Sequence, residues 1–134
     1  MIRFSLAISA LLALAAPAFA GPQASVEGLW TNPKRNVVVK LATCGNYYCG
    51  TVVKATDRAK EKARQGGTER LIGTRILTGL RPTGNATLRG QAFDPKRNIR
   101  APATIRLLGP NALEVRGCAV IGILCKEQRW TRVG

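Results

Sequence analysis

Residues 101–133 read A-P-A-T-I-R-L-L-G-P-N-A-L-E-V-R-G-C-A-V-I-G-I-L-C-K-E-Q-R-W-T-R-V. Ala103, Ile105 and Leu107 alternate with Thr104 and Arg106, the period of a strand with one face buried. Gly109-Pro110-Asn111 breaks the run, and two further extended stretches follow, Ala112 to Val120 and Ile123 to Val133. The last two set their own register. If Cys118 lies opposite Cys125, Arg116 falls opposite Glu127 and Glu114 opposite Arg129, two pairs of opposite charge on the face that carries the sulfurs. The other face then presents Leu113 and Val115 opposite Trp130 and Gln128. A two-residue turn at Ile121-Gly122 makes the cysteines a hydrogen-bonded pair, the less favourable geometry for a bridge, and a looser turn relieves this.

The same grammar runs upstream. Gly28 to Thr31, Val37 to Cys44, Cys49 to Ala55, Ile72 to Leu80 and Thr87 to Phe93 read as strands. Asn32-Pro33, Gly45-Asn46, Pro82-Thr83-Gly84-Asn85 and Asp94-Pro95 separate them. Ile72, Ile76 and Leu80 are expected on one face. Eight short strands with short loops predict an all-β fold, an eight-stranded antiparallel up-and-down barrel, because closure removes exposed edges; a two-sheet sandwich is the alternative. One longer connection, Thr56 to Arg70, holds a polar stretch near 57–65 around two alanines. It reads as a short helix stopping at Gly66-Gly67, or as a solvated loop.

The chain has 134 residues, with 21 Lys and Arg against 7 Asp and Glu, no His, and a net charge of +14. Met1-Ile2-Arg3, the apolar run from Phe4 to Ala16 and the Ala18-Phe19-Ala20 site have the three parts of a secretory signal; the run is short for a membrane anchor. Residues 1–20 are therefore expected to be a signal peptide, and residues 21–134 one domain. Cleavage near Ala20 loses Arg3 alone among the charged residues, which leaves a net +13. The expected location is periplasmic or secreted, in a bacterium. In an oxidising compartment Cys44, Cys49, Cys118 and Cys125 read as disulfides, since spacings of five and seven match no common zinc pattern and no His completes a site. No metal and no cofactor are expected. Cys44 meets Cys49 across a tight turn at Asn46-Tyr47. In an up-and-down meander the turns after Cys44 and Cys118 lie at opposite ends, about 23 Å apart for seven residues, so a bridge between the two pairs is excluded by the ~7 Å limit on Cα separation.

Alternation of the turns gathers Lys34-Arg35, the connection with Arg58, Lys60, Lys62 and Arg64, and Lys96-Arg97 at one end, beside the uncharged tip Ala119 to Leu124. Such an end concentrates anions and suggests contact with an anionic lipid, lipopolysaccharide or small anionic or amphipathic ligand. The plainer reading is that charge keeps the protein soluble while the tip plugs a filled barrel with no ligand, as in a structural envelope protein. Nucleic acid is not an expected partner: the aromatic residues are few, and no basic-aromatic repeat or helix-turn-helix pattern occurs. Neither a Ser-His-Asp nor a Cys-His set can be assembled, and acid-base candidates are scarce, so an enzyme is not expected and no catalytic residue is assigned. An enzyme of unrecognised type is the remaining alternative.

The order Val26-Glu27-Gly28-Leu29-Trp30, Cys44-Gly45 through Cys49-Gly50-Thr51-Val52-Val53, Leu71-Ile72-Gly73-Thr74-Arg75-Ile76-Leu77, Phe93-Asp94-Pro95, Leu113-Glu114-Val115-Arg116-Gly117-Cys118 and Gln128-Arg129-Trp130-Thr131-Arg132-Val133 resembles the exported bacterial domain-of-unknown-function family 2147. The resemblance implies a small exported β-barrel-like domain and supplies no catalytic residues. The chain departs from the family pattern around Lys62 to Glu69 and Arg97 to Ala101, where it is more basic and less aromatic. Gly28-Leu29-Trp30 is similar to the G-x-W signature of lipocalins and wider calycins. That similarity implies that Trp30 closes one barrel end beneath an arginine of the last strand, Arg129 or Arg132, and an interior that is filled or shallow at this chain length.

Overall fold

In a computed structural model, which describes residues 25–119 and 124–134, the hairpin of residues 112–132 has the register expected for it. Cys118 pairs with Cys125, Arg116 with Glu127, Glu114 with Arg129, Val115 with Gln128 and Leu113 with Trp130. The strands are β1 (Gly28–Thr31), β2 (Val37–Cys44), β3 (Tyr47–Ala55), β4 (Arg75–Gly84), β5 (Thr87–Asp94), β6 (Ile99–Gly109), β7 (Ala112–Ala119) and β8 (Leu124–Arg132), with one helix, α1 (Asp57–Gln65), after β3. Each strand pairs antiparallel with the next and β8 returns to β1, so the sheet is a closed eight-stranded barrel and not a sandwich. The expected signal segment, residues 1–20, and residues 120–123 of the apolar tip lie outside the described residues.

Both disulfides are present, Cys44–Cys49 and Cys118–Cys125. Their settings differ from expectation. The first turn is at Gly45-Asn46, with Cys44 opposite Tyr47, so that Cys49 lies opposite Ala42 and bridges to Cys44 on a diagonal, with Cα atoms 5.7 Å apart. The cause is Gly45, whose φ of +64° suits the first central position of a II′ hairpin turn. Cys118 and Cys125 have Cα atoms 4.0 Å apart, the spacing of a non-hydrogen-bonded pair. Between the two ion-pair candidates beside that bridge, Arg116 reaches Glu127 at 3.6 Å, whereas Glu114 turns to Arg106 on β6 at 3.5 Å.

The expected face of Ile72, Ile76 and Leu80 does not form. Ile72 is exposed, in the turn before β4, and the fully buried residues of β4 are Leu77 and Leu80. They lie three positions apart instead of two because β4 bulges at Gly79 (φ +60°), between Thr78 paired to Gln91 and Arg81 paired to Arg89. Gly90 sits opposite the bulge. A Cβ there would collide with the carbonyl oxygen of Thr78 and lie 2.9 Å from backbone atoms of Gly79.

The core fills one half of the barrel. Trp30, Leu41, Leu80, Leu88, Ile105 and Leu113 are buried there. The Trp30 indole N–H donates to the Val26 carbonyl at 2.9 Å, and the Arg132 guanidinium lies 4.3 Å over its ring while donating to the carbonyls of Ser25, Glu27 and Pro110. Of the two arginines named for this place, Arg132 occupies it; Arg129 is exposed on the outer face.

Candidate functional site

The other half of the barrel is open. A cavity of about 690 Å³ enters it between the β1–β2 turn, α1 and the β5–β6 turn, within the size range of small-molecule sites. The expectation of a filled or shallow interior is corrected here, and the reason is side-chain size. Ala92 and Ala101 pair across β5 and β6 and both line the cavity, with Val37, Val52, Ile76, Val115 and Trp130 around them. The alanines and valines are too small to reach the middle.

Three elements hold the mouth. The β1–β2 turn is locked by Asn32, whose side-chain oxygen accepts from the N–H groups of Asn36 and Val37 at 3.1 and 3.2 Å. Helix α1 forms because Thr56 caps it, accepting from the Ala59 N–H at 3.2 Å, and because Asp57 in the first turn and Lys62 and Arg64 in the last oppose its dipole. Ala59 and Ala63 are buried and line the cavity, so the two alanines of the polar stretch are its inward face. The end of α1 abuts the β5–β6 turn so closely that a Cβ on Gly66 would strike the Lys96 carbonyl, and Thr68 Oγ1 donates to the Pro95 carbonyl at 3.0 Å. That turn is built by Asp94, which accepts from the Lys96 N–H at 3.0 Å and from Arg97 at 2.8 Å.

Lysines and arginines from all three elements converge on this opening. Lys34, Lys62, Lys96 and Arg97 all line it. Arg58 joins Lys34 and Lys62 around a smaller adjoining recess of about 310 Å³. Lys60 and Arg64 are set apart, in ion pairs with Asp57 at 3.9 Å and Glu61 at 2.9 Å along the helix, and Arg35 is exposed in its turn with φ +52° and lines neither space. Burial lowers the Lys96 ammonium below its ordinary 10.5, and the like charges of Lys34, Arg97 and Lys62 add to this against the pull of Asp94. Burial alone would raise the Asp94 carboxyl; the hydrogen bonds from Arg97 and the Lys96 N–H outweigh it and hold the group below 3.8. The mouth thus has one carboxylate already engaged and an excess of positive charge over an apolar interior.

Lys126 also lines the cavity, and sequence reasoning passed over it. The signal was available: Trp130 and Gln128 share the inward face, and two more residues along the strand lead to Lys126. Gln128 lines the cavity as well and accepts from the Trp130 indole N–H at 3.0 Å.

Comparison with known proteins agrees with this architecture. Among solved structures, protein HP1028 from the human pathogen Helicobacter pylori, described as belonging to the lipocalin family, is similar with a TM-score of 0.63 at 14% identity. The match covers 82% of this chain and 84% of that one. At that identity the likeness speaks for the fold. A search of the curated proteins finds no match. A family model described as "Uncharacterized protein conserved in bacteria (DUF2147)" matches residues 28–132, and the chain belongs to that family.

Proposed function

We propose that the protein acts by binding rather than by catalysis, and that it takes a small amphipathic anion into the open end of the barrel. The apolar part would lie against Val37, Ile76, Val115 and Trp130, and the acidic group would meet Lys34, Lys62 and Lys96. The observation that carries this reading is one cavity of about 690 Å³ whose walls are apolar and whose rim holds Lys34, Lys62, Lys96 and Arg97. Charge-assisted hydrogen bonds at a partly desolvated rim are the strong kind, and apolar burial supplies affinity without demanding a particular chain. Against a catalytic reading, Asp94 is the acidic residue at the rim, and its two hydrogen bonds make it a poor proton acceptor. Two disulfides in a chain of a bacterial family support an extracytoplasmic setting, and with the signal-like residues 1–20 the periplasm or the exterior is the proposed location. There an anionic lipid or lipopolysaccharide carries the same chemistry. No helix among the described residues is long and apolar enough to cross a membrane.

Isothermal titration with dodecanoate and its methyl ester tests the reading. The carboxylate should bind at least about tenfold more tightly than the ester, and combined Lys34→Glu, Lys62→Glu and Lys96→Glu substitution should remove that difference while leaving the circular dichroism spectrum unchanged. Equal affinity for acid and ester in the unsubstituted protein would refute the role of the rim.

A further inference from the structure

The smaller recess of about 310 Å³ opens between the β1–β2 turn and the start of α1, and it shares Lys34, Asn36 and Lys62 with the barrel cavity. Its wall differs from that of the cavity. Every side chain lining it, Lys34, Asn36, Thr56, Arg58 and Lys62, carries an N–H or O–H donor, and none is a carboxylate. The Thr56 N–H pins the two elements together by donating to the Asn36 carbonyl at 2.9 Å. Asn36 Oδ1 accepts from Asn32 Nδ2 at 2.6 Å, so the open end of its amide is the NH2 group. Thr56 Oγ1 accepts from the Ala59 N–H, which leaves its hydroxyl proton to give. The charges of α1 are sorted. Its carboxylates are engaged along the helix, Asp57 with Lys60 and Glu61 with Arg64. Arg58 and Lys62 stand four residues apart on one face, where like charges are unfavourable, and Lys34 joins them at the recess. Among the described residues, none of these three cations has an ion-pair partner. An anion that meets all three relieves their mutual repulsion.

We propose that this recess is a subsite for a phosphate monoester, the headgroup of the amphipathic anion taken into the barrel. The proposal rests on that reading of the cavity and narrows it from an acid of any kind to a phosphate. A carboxylate offers one charge and two oxygens. A phosphate monoester offers three peripheral oxygens and close to two charges above pH 7, a better match to three cations, an amide and a hydroxyl. The volume holds a phosphate together with several waters, at about 30 Å³ for each water. Because Lys34 and Lys62 border both spaces, the ester oxygen can lead directly into the barrel, where Val37 follows Asn36 on the wall. The same headgroup chemistry comes from a lipid-like monoester or from a soluble phosphate.

Titration calorimetry at pH 8 with dodecyl phosphate, dodecanoate and inorganic phosphate tests the subsite. Dodecyl phosphate should bind about tenfold or more tightly than dodecanoate. Arg58→Gln should reduce that preference to about twofold or less, because Arg58 lines the recess and not the cavity. Arg35→Gln removes the same charge from a side chain that lines neither space and should leave the preference in place. Circular dichroism checks that both variants fold. Inorganic phosphate identifies the source. Binding far weaker than that of dodecyl phosphate points to a lipid-like monoester. Equal binding points to a soluble phosphate; it sustains the subsite and refutes the apolar half of the reading on which the subsite rests. Dodecanoate bound as tightly as dodecyl phosphate, or equal effects of Arg58→Gln and Arg35→Gln on the preference, would overturn the subsite and leave that reading in force. Failure of all three ligands to bind would overturn both.

Discussion

Asp94 shows how much one side chain organises here. Its carboxylate closes the β5–β6 turn through the Lys96 N–H and the Arg97 guanidinium, and the backbone N–H of Asn98, at φ +54°, donates to its carbonyl. The turn in turn seats the end of α1. Because the folded carboxyl titrates below 3.8, its stabilising effect is fully present above that ordinary value and is lost as pH falls through the lower folded one. Asp94→Asn should therefore cost about 1 kcal/mol at pH 7, modest because the pair is partly exposed, and that cost should shrink as the pH is lowered toward 2. Urea unfolding of both proteins from pH 7 to pH 2 should show the two stability curves converging at the acid end. The sequence Asp-Pro signalled a turn. It did not signal that the turn would support a helix thirty residues earlier in the chain, because that contact joins two segments remote in sequence.

Among the elements, hairpins were legible where side-chain chemistry repeats across the strands and illegible where glycine alters the backbone. The β7–β8 register followed from paired charges and paired cysteines on one face. The β2–β3 register was misplaced because Gly45 moves the turn, and the inward face of β4 was misassigned because Gly79 inserts a bulge that resets the alternation. The bulge has a partner in Gly90, where the strands approach too closely for any side chain. Gly90→Ala should force the Thr78–Gly79 backbone away and lower the Tm by roughly 10 °C, the effect of an overpacked interior position in a domain of this size. Differential scanning calorimetry checks this; a melt within about 2 °C of the parent protein would show that β4 and β5 separate more freely than their packing indicates.

Across the whole molecule, the two ends of the barrel differ in what fills them. At the closed end Trp30 lies beneath Arg132 and large aliphatic residues meet across the axis. At the open end the paired Ala92 and Ala101 and the helical Ala59 and Ala63 leave the cavity between them. Ala101→Leu should extend apolar surface into that space without strain. Unfolding free energy should stay level or rise by up to about 1 kcal/mol, while dodecanoate affinity falls about tenfold or more by titration calorimetry; retained affinity would place the apolar part of the ligand elsewhere. The sequence by itself determined the number and order of strands, the local pairing of the cysteines and the gathering of Lys34, Lys62, Lys96 and Arg97 at one end. These follow from period, turns and alternation, which are properties of neighbouring residues. Only the tertiary structure decided that the barrel encloses a cavity, that α1 turns its alanines into it and that Arg58 meets Lys34 and Lys62 at one recess, because each depends on how far apart remote backbones lie once the ring has closed.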